Sequence, residues 1–221
     1  MQSARVKVLV GSNQESFEVS YDLLKQYSSA FGEILDLTLN GSSNQIDLPN
    51  VKKSTFDDFF IWVHTFQPCI TLDRSIDCDS INSITDLAIF AETYRIFLLK
   101  NQASDVIRAA LANDQWKVTP DIISSVYKAA PLGSTLRRLY FLGFITATDS
   151  ESIPSFWETT FNDYPSLGFD YFQYKNTGEV DSVNIDSGGA CRFHDHSDVP
   201  GWVVGDTKEC PYPHGALYLA L

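Results

Sequence analysis

The sequence predicts an α+β protein in which helices pack around a small sheet. Three observations support this fold class: an alternating apolar pattern at the N-terminus, helical spacing repeated up to about residue 148, and a different composition beyond it. Of the 221 residues, 44% are hydrophobic, which is enough apolar material for one core or for a core with a smaller appended unit.

The N-terminal segment predicts a β-hairpin. In "RVKVLVG", Val6, Val8 and Val10 alternate on one face, and Phe17 and Val19 continue the pattern in "SFEVS". The intervening "GSNQES" supplies turn-forming residues. The hairpin therefore has one apolar face that can cover a core.

Helices follow the hairpin. "SYDLLKQYSSAFGEIL" predicts two short helices with N-caps at Ser20 and at Ser28 or Ser29, and "IDLPN" predicts a short strand. Apolar residues at i, i+3, i+4 and i+7 indicate a third helix: Phe56, Phe59, Phe60 and Val63. Further helices are predicted over "INSITDLAIFAETYRI", "FLLKNQASDVIRAALAND", "TPDIISSVYKAA" and "STLRRLYFLGF".

Charge is concentrated at the C-terminal end. The formal net charge is −12, and residues 149–221 hold 12 acidic but only 3 basic side chains. This balance disfavours direct binding to nucleic acid or to anionic membranes. No secretory signal or apolar run of about 20 residues is evident. With four cysteines and no signal peptide, we expect reduced thiols and a cytoplasmic or nuclear protein.

A series of pieces of the chain, taken in order, resembles the BTB/POZ family. They are the hairpin ending in Val-Gly, the helix pair "YDLLKQYSSAFGEIL", the strand "IDLP", the helix "FDDFFIWVHTF" and the closing helix pair over "ITDLAIFAETYRIFLL". The continuation "TPDIISSVYKAAPLGSTLRRLYF" is similar to an extension found in fungal BTB proteins of unassigned function. The resemblance implies a BTB/POZ domain at 1–112, a helical extension at 113–148 and an irregular, acidic, aromatic-rich region at 149–221.

The resemblance also implies a function. BTB domains are interaction modules without catalytic activity, so we expect a non-enzymatic adaptor that docks a client protein onto a cullin-type ubiquitin-ligase scaffold. The alternative is a self-associating scaffold or a transcription-related regulator without a ligase role. The residues that would contact a partner are Asp57, Asp58, Trp62, Phe66 and Gln67. Self-association as a homodimer would use Val6, Val8 and Tyr21.

Trp62 and Phe66 have a second interpretation as core residues beneath the aromatic stretch 156–174. That stretch holds eight aromatic residues in nineteen. They either cover the apolar face of the preceding helices or line a pocket for a ligand or peptide. The acidic surroundings predict that any such peptide is basic.

A cluster of cysteine and histidine stands near the C-terminus. Cys191, His194, His196 and Cys210 supply the four donors that a structural zinc ion requires. Alternatively, the histidines hydrogen-bond within a loop and the thiols are ordinary buried groups. A metal-dependent enzyme centred on this cluster is a further alternative, although the H-E-x-x-H frame is missing. No cofactor other than this zinc ion is expected.

Overall fold

A small mixed sheet forms the N-terminal part of the fold. The computed structural model describes residues 4–39, 44–65, 70, 78–112, 116–148, 155–177, 193–200 and 210. The strands are β1 (Arg5–Val10), β2 (Glu15–Ser20) and β3 (Gln45–Leu48), in the order β2-β1-β3. β1 pairs antiparallel with β2 and parallel with β3. The predicted hairpin is therefore confirmed.

Helices make up most of the rest of the chain. Within the described residues there are nine α-helices and one short 3₁₀ helix at Ser155–Trp157. The α-helices are α1 (Tyr21–Tyr27), α2 (Ser29–Leu39), α3 (Lys53–His64), α4 (Cys78–Thr93), α5 (Phe97–Ala112), α6 (Pro120–Ala129), α7 (Thr135–Ala147), α8 (Glu158–Asp163) and α9 (Pro165–Thr177). The predicted α+β class is confirmed. In the described part of the chain, no helix is both long enough and apolar enough to traverse a bilayer.

A serine side chain caps the start of each of the first two helices. The Ser20 hydroxyl accepts from the backbone N–H of Leu23 at the start of α1. The Ser28 hydroxyl accepts from the backbone N–H of Phe31, at 2.9 Å, at the start of α2. These bonds satisfy donors that the helices themselves leave unpaired. Of the two predicted caps for α2, the structure uses Ser28.

One continuous apolar core extends through the three predicted segments. Val8 in β1, Phe56 in α3, Leu99 in α5, Phe144 in α7 and Trp157 are all at most 1% exposed and belong to this core. Burying a large apolar side chain of this kind contributes about 1.5–3 kcal/mol. The segments therefore share one core.

The region 155–177 is helical rather than irregular as predicted. On its inner side, the ring centroids of Trp157, Phe161 and Tyr171 lie 4.7, 5.8 and 6.2 Å from that of Phe144, in edge-to-face geometry. On the outer side of α9, Phe169 and Phe172 are 55% and 64% exposed. Because apolar residues lie on both sides of α9, no single stripe marks it in the sequence.

Candidate functional site

The outward face of α3 presents one isolated apolar side chain. Ile61 is 67% exposed, and it lies three residues after Asp58 and four before Thr65, which are both exposed. Partial burial and the neighbouring charge of Asp57 raise the pKa of Asp58. Asp57 is half-buried and forms an ion pair with Lys53 at 2.6 Å. This face combines an apolar group with acidic neighbours.

Trp62, which the sequence suggested as a partner contact, lies in the core. Its side chain is 3% exposed, and the ring centroid is 5.2 Å from that of Tyr27 and 6.2 Å from that of Phe59. The indole Nε1–H donates to Oε1 of Gln102 at 2.9 Å. A partner therefore cannot reach Trp62 in the folded chain, and these neighbours are not the aromatics of 156–174.

The remaining predicted interface residues have different surroundings. Val6 and Val8 are 2% and 0% exposed, because the alternation of β1 directs them into the core of one molecule. Tyr21 is half-buried, and its hydroxyl donates to Asp36 at 3.0 Å. Of the three residues assigned to self-association, only Tyr21 is partly accessible. Phe66 and Gln67 lie outside the described residues.

The histidine and cysteine side chains near the C-terminus converge. Nδ1 of His194 and Nε2 of His196 each lie 3.2 Å from Sγ of Cys210. The three donor atoms fall within 4.8 Å of one another, and both histidines are buried. Three of the four predicted ligands are thus brought together. The fourth, Cys191, lies outside the described residues.

A carboxylate on α5 contacts one of the histidines of the cluster. Oδ2 of Asp105 lies 3.1 Å from Nε2 of His194, and both side chains are 0% exposed. Nδ1 of His194 faces Cys210, so Nε2 is the ring nitrogen on the carboxylate side. The two nitrogens of His194 thus contact different groups.

α5 also holds the backbone between the two histidines. The Asn101 side chain donates to the backbone carbonyl of Asp195 at 2.9 Å and accepts from its N–H at 2.8 Å. The carboxylate of Asp195 contacts the Lys100 ammonium and accepts from the Ser197 N–H and hydroxyl. Lys100 in turn pairs with Glu92 at 2.9 Å. The segment that carries the histidines is therefore fixed to α5 at its centre.

This environment sets the protonation of the segment. Burial, followed by the neighbouring His194, lowers the pKa of His196 and favours its neutral imidazole. Burial opposes the charge of Asp195, but the hydrogen bonds from Lys100 and Ser197 outweigh it and the pKa of Asp195 is lowered. A neutral imidazole is the form that binds metal ions.

The three donors form a possible metal-binding group. Asp105 faces His194, and Asp195 faces Lys100. Two imidazoles and one thiolate are ligands that zinc prefers.

Sequence reasoning missed the residues that support this cluster. Lys100, Asn101 and Asp105 lie about 90 residues before it, within what looks like an ordinary helix. The available signal was polar spacing: Lys100, Asn101, Ser104 and Asp105 share one face of α5 at i, i+1, i+4 and i+5. All four are buried, so another segment must cover that face.

Comparison of the whole chain with models of known protein families and with curated proteins finds no match.

Proposed function

We propose that this chain is a non-catalytic protein–protein interaction module of the BTB/POZ type, acting as an adaptor that docks a client protein onto a cullin-type ubiquitin-ligase scaffold. The observation that carries the proposal is the exposed Ile61 in the middle of the polar outer face of α3. α3 is the helix that the family resemblance assigns to scaffold docking.

The surroundings of Ile61 suit a binding hot spot. An apolar side chain ringed by polar groups loses water on docking while its neighbours exclude solvent and select the partner. Desolvation, followed by the neighbouring charge of Asp57, raises the pKa of the Asp58 carboxyl. A cation on the partner would favour its charged form. The docking face therefore fits a partner with an apolar pocket and a basic rim.

The element order also supports the proposal. A hairpin, a helix pair, a short strand, a single helix and a second helix pair follow one another from β1 to α5. This is the order that the resemblance predicts for a BTB/POZ domain. The helices α6 and α7 follow where the fungal extension is expected.

The client surface is proposed on the C-terminal helices. Phe156, Phe169 and Phe172 are 62%, 55% and 64% exposed, in a region with 12 acidic and 3 basic residues. Exposed aromatic rings in an acidic setting favour a client segment that is basic and apolar. Scaffold and client would then occupy separate parts of the chain.

The test is light scattering of the purified chain mixed with the N-terminal domain of the cullin that serves BTB adaptors. We expect a complex of the summed mass. Ile61→Asp should weaken it at least about tenfold, because a charge replaces the apolar contact at the centre of the interface. Leu132→Asp is the matched control, since Leu132 is 75% exposed in the loop between α6 and α7.

Two results would contradict the adaptor proposal. One is the absence of any complex with the wild-type chain. The other is equal weakening by both substitutions. A stable dimer that does not bind the scaffold would instead support the self-associating alternative.

A further inference from the structure

We infer that Nδ1 of His194, Nε2 of His196 and Sγ of Cys210 bind a zinc ion that fastens the C-terminal segment to α5. This inference does not depend on the proposed adaptor function. The zinc ligands lie near the C-terminus, whereas the proposed docking surface is on α3.

The donor set identifies the metal class. Both nitrogens lie 3.2 Å from the sulfur. Tetrahedral zinc with Zn–S of about 2.3 Å and Zn–N of about 2.0–2.1 Å places sulfur and nitrogen about 3.5 Å apart. Small side-chain movements therefore bring the three donors to the separations that zinc requires. Calcium and magnesium prefer oxygen donors and do not fit a thiolate with two imidazoles.

Asp105 acts on the site as a positioning residue for His194. It stands 3.1 Å from the nitrogen of His194 that does not face the sulfur. Carboxylates in this position fix the tautomer and the ring orientation of metal-binding histidines. The fully buried Asp105 thus contacts the ligand rather than the ion.

Charge balance also fits a divalent ion. Cys210 binds a metal as the thiolate, and Asp105 adds a second negative charge beside His194. The zinc ion offsets the thiolate, and the Arg108 guanidinium offsets Asp105. Around them, Lys100 faces Glu92 and Asp195, and Arg108 lies 3.7 Å from Asp105.

The ligands are held before the ion arrives. Asn101 bonds both backbone groups of Asp195, the residue between the histidines. Of the three ligands, only Cys210 comes from a separate segment, 14 residues after His196. Binding of the ion therefore closes this loop and joins residue 210 to the surface of α5.

The experiment uses the full-length chain without a histidine tag, stripped with chelator and then titrated with zinc or with cobalt(II). We expect one zinc per chain and a rise in Tm of roughly 5–10 °C at saturating metal. With cobalt, a thiolate-to-metal charge-transfer band and the strong visible bands of tetrahedral Co(II) should appear.

Variants assign the ligands. Cys210→Ser should remove the charge-transfer band and the zinc-dependent rise in Tm, whereas Cys78→Ser and His64→Asn should keep both. Asp105→Asn should retain stoichiometric binding but weaken zinc affinity about 10–100-fold. That weakening, with the cobalt spectrum preserved, separates a positioning role from ligation.

Three results would overturn the inference: no uptake of zinc or cobalt by the stripped wild-type chain, cobalt bands without thiolate character, or full uptake by Cys210→Ser. The first two are measured on the wild-type protein. They decide the question even where a variant does not fold.

Discussion

At the scale of single residues, two adjacent side chains of α3 have opposite exposures. Ile61 is 67% exposed and Trp62 is 3% exposed. Trp62 contributes its ring to the core and its Nε1–H to Gln102 of α5, at 2.9 Å. We therefore expect substitution of Ile61 to change partner binding with little effect on stability. Substitution of Trp62 should change stability.

We predict that Trp62→Phe lowers the free energy of unfolding by about 1–3 kcal/mol, because the smaller ring leaves a gap and removes one buried hydrogen bond from Gln102. Urea unfolding followed by far-UV circular dichroism measures the change. Binding to the cullin domain should persist under native conditions. Loss of binding with unchanged stability would place Trp62 in the interface.

The helical spacing of α3 predicted three of its four proposed core residues correctly, while Phe60 is only partly buried. For Trp62 the sequence left a core position and a partner contact open. Phe56, Phe59 and Val63 are buried as predicted. Trp62 comes three residues after Phe59, on the same side of the helix. This spacing indicates that Trp62 faces the core and that Ile61 faces away from it.

At the scale of elements, α5 is the helix to which several parts of the chain are joined. It buries Lys100, Asn101, Gln102, Ser104 and Asp105, which is an unusual set for a core helix. Gln102 holds α3, while Lys100, Asn101 and Asp105 hold the segment around Asp195. Sequence periodicity predicted that α5 is a helix. It could not show which segment covers the polar face, because that contact spans about 90 residues.

The packing of α7 on α5 depends on a glycine. A Cβ atom at Gly143 would lie 2.6 Å from Cγ2 of Val118 and 3.1 Å from both Cδ atoms of Leu111. Leu111 is in α5, and Val118 precedes α6. The absence of a side chain at residue 143 therefore allows α7 to approach both.

We predict that Gly143→Ala destabilises the fold by about 1–2 kcal/mol, since overpacking costs about 1–3 kcal/mol and alanine returns up to about 1 kcal/mol of helix propensity. Gly32→Ala in α2 is the matched control. Its nearest atom is Cγ of Lys25 at 3.5 Å, an ordinary contact, so this change should stabilise slightly. Thermal unfolding of the two variants should shift in opposite directions. A shift in the same direction would contradict the packing explanation.

At the scale of the whole molecule, the three segments predicted from composition share one core. The change of composition near residue 149 is a change in charge and aromatic content. It did not indicate a separate core, since Trp157, Phe161 and Tyr171 pack on Phe144 of α7. Composition reports what a segment contains, but packing against a distant face depends on contacts that no local pattern encodes.

A partly buried carboxylate joins the C-terminal helices to α6 and α7. Oδ2 of Asp170 in α9 accepts from the Tyr127 hydroxyl of α6 at 2.8 Å and from Nη2 of Arg137 in α7 at 2.9 Å. The Arg137 guanidinium also lies 4.1 Å from the centroid of the Tyr127 ring. Burial, followed by the charge of Asp170, raises the pKa of Tyr127, so its hydroxyl stays protonated as a donor.

We predict that Asp170→Asn lowers the free energy of unfolding by about 2–4 kcal/mol, because Arg137 loses its counter-charge in a largely buried site. The loss should appear in a single cooperative transition, since one core links α9 to the sheet. Near-UV and far-UV circular dichroism should therefore report the same, lowered midpoint. Asp36→Asn, which removes the exposed ion pair with Lys25, should leave that midpoint nearly unchanged. Two separate transitions, of which only the first responds to Asp170→Asn, would show that the C-terminal helices unfold as a unit of their own.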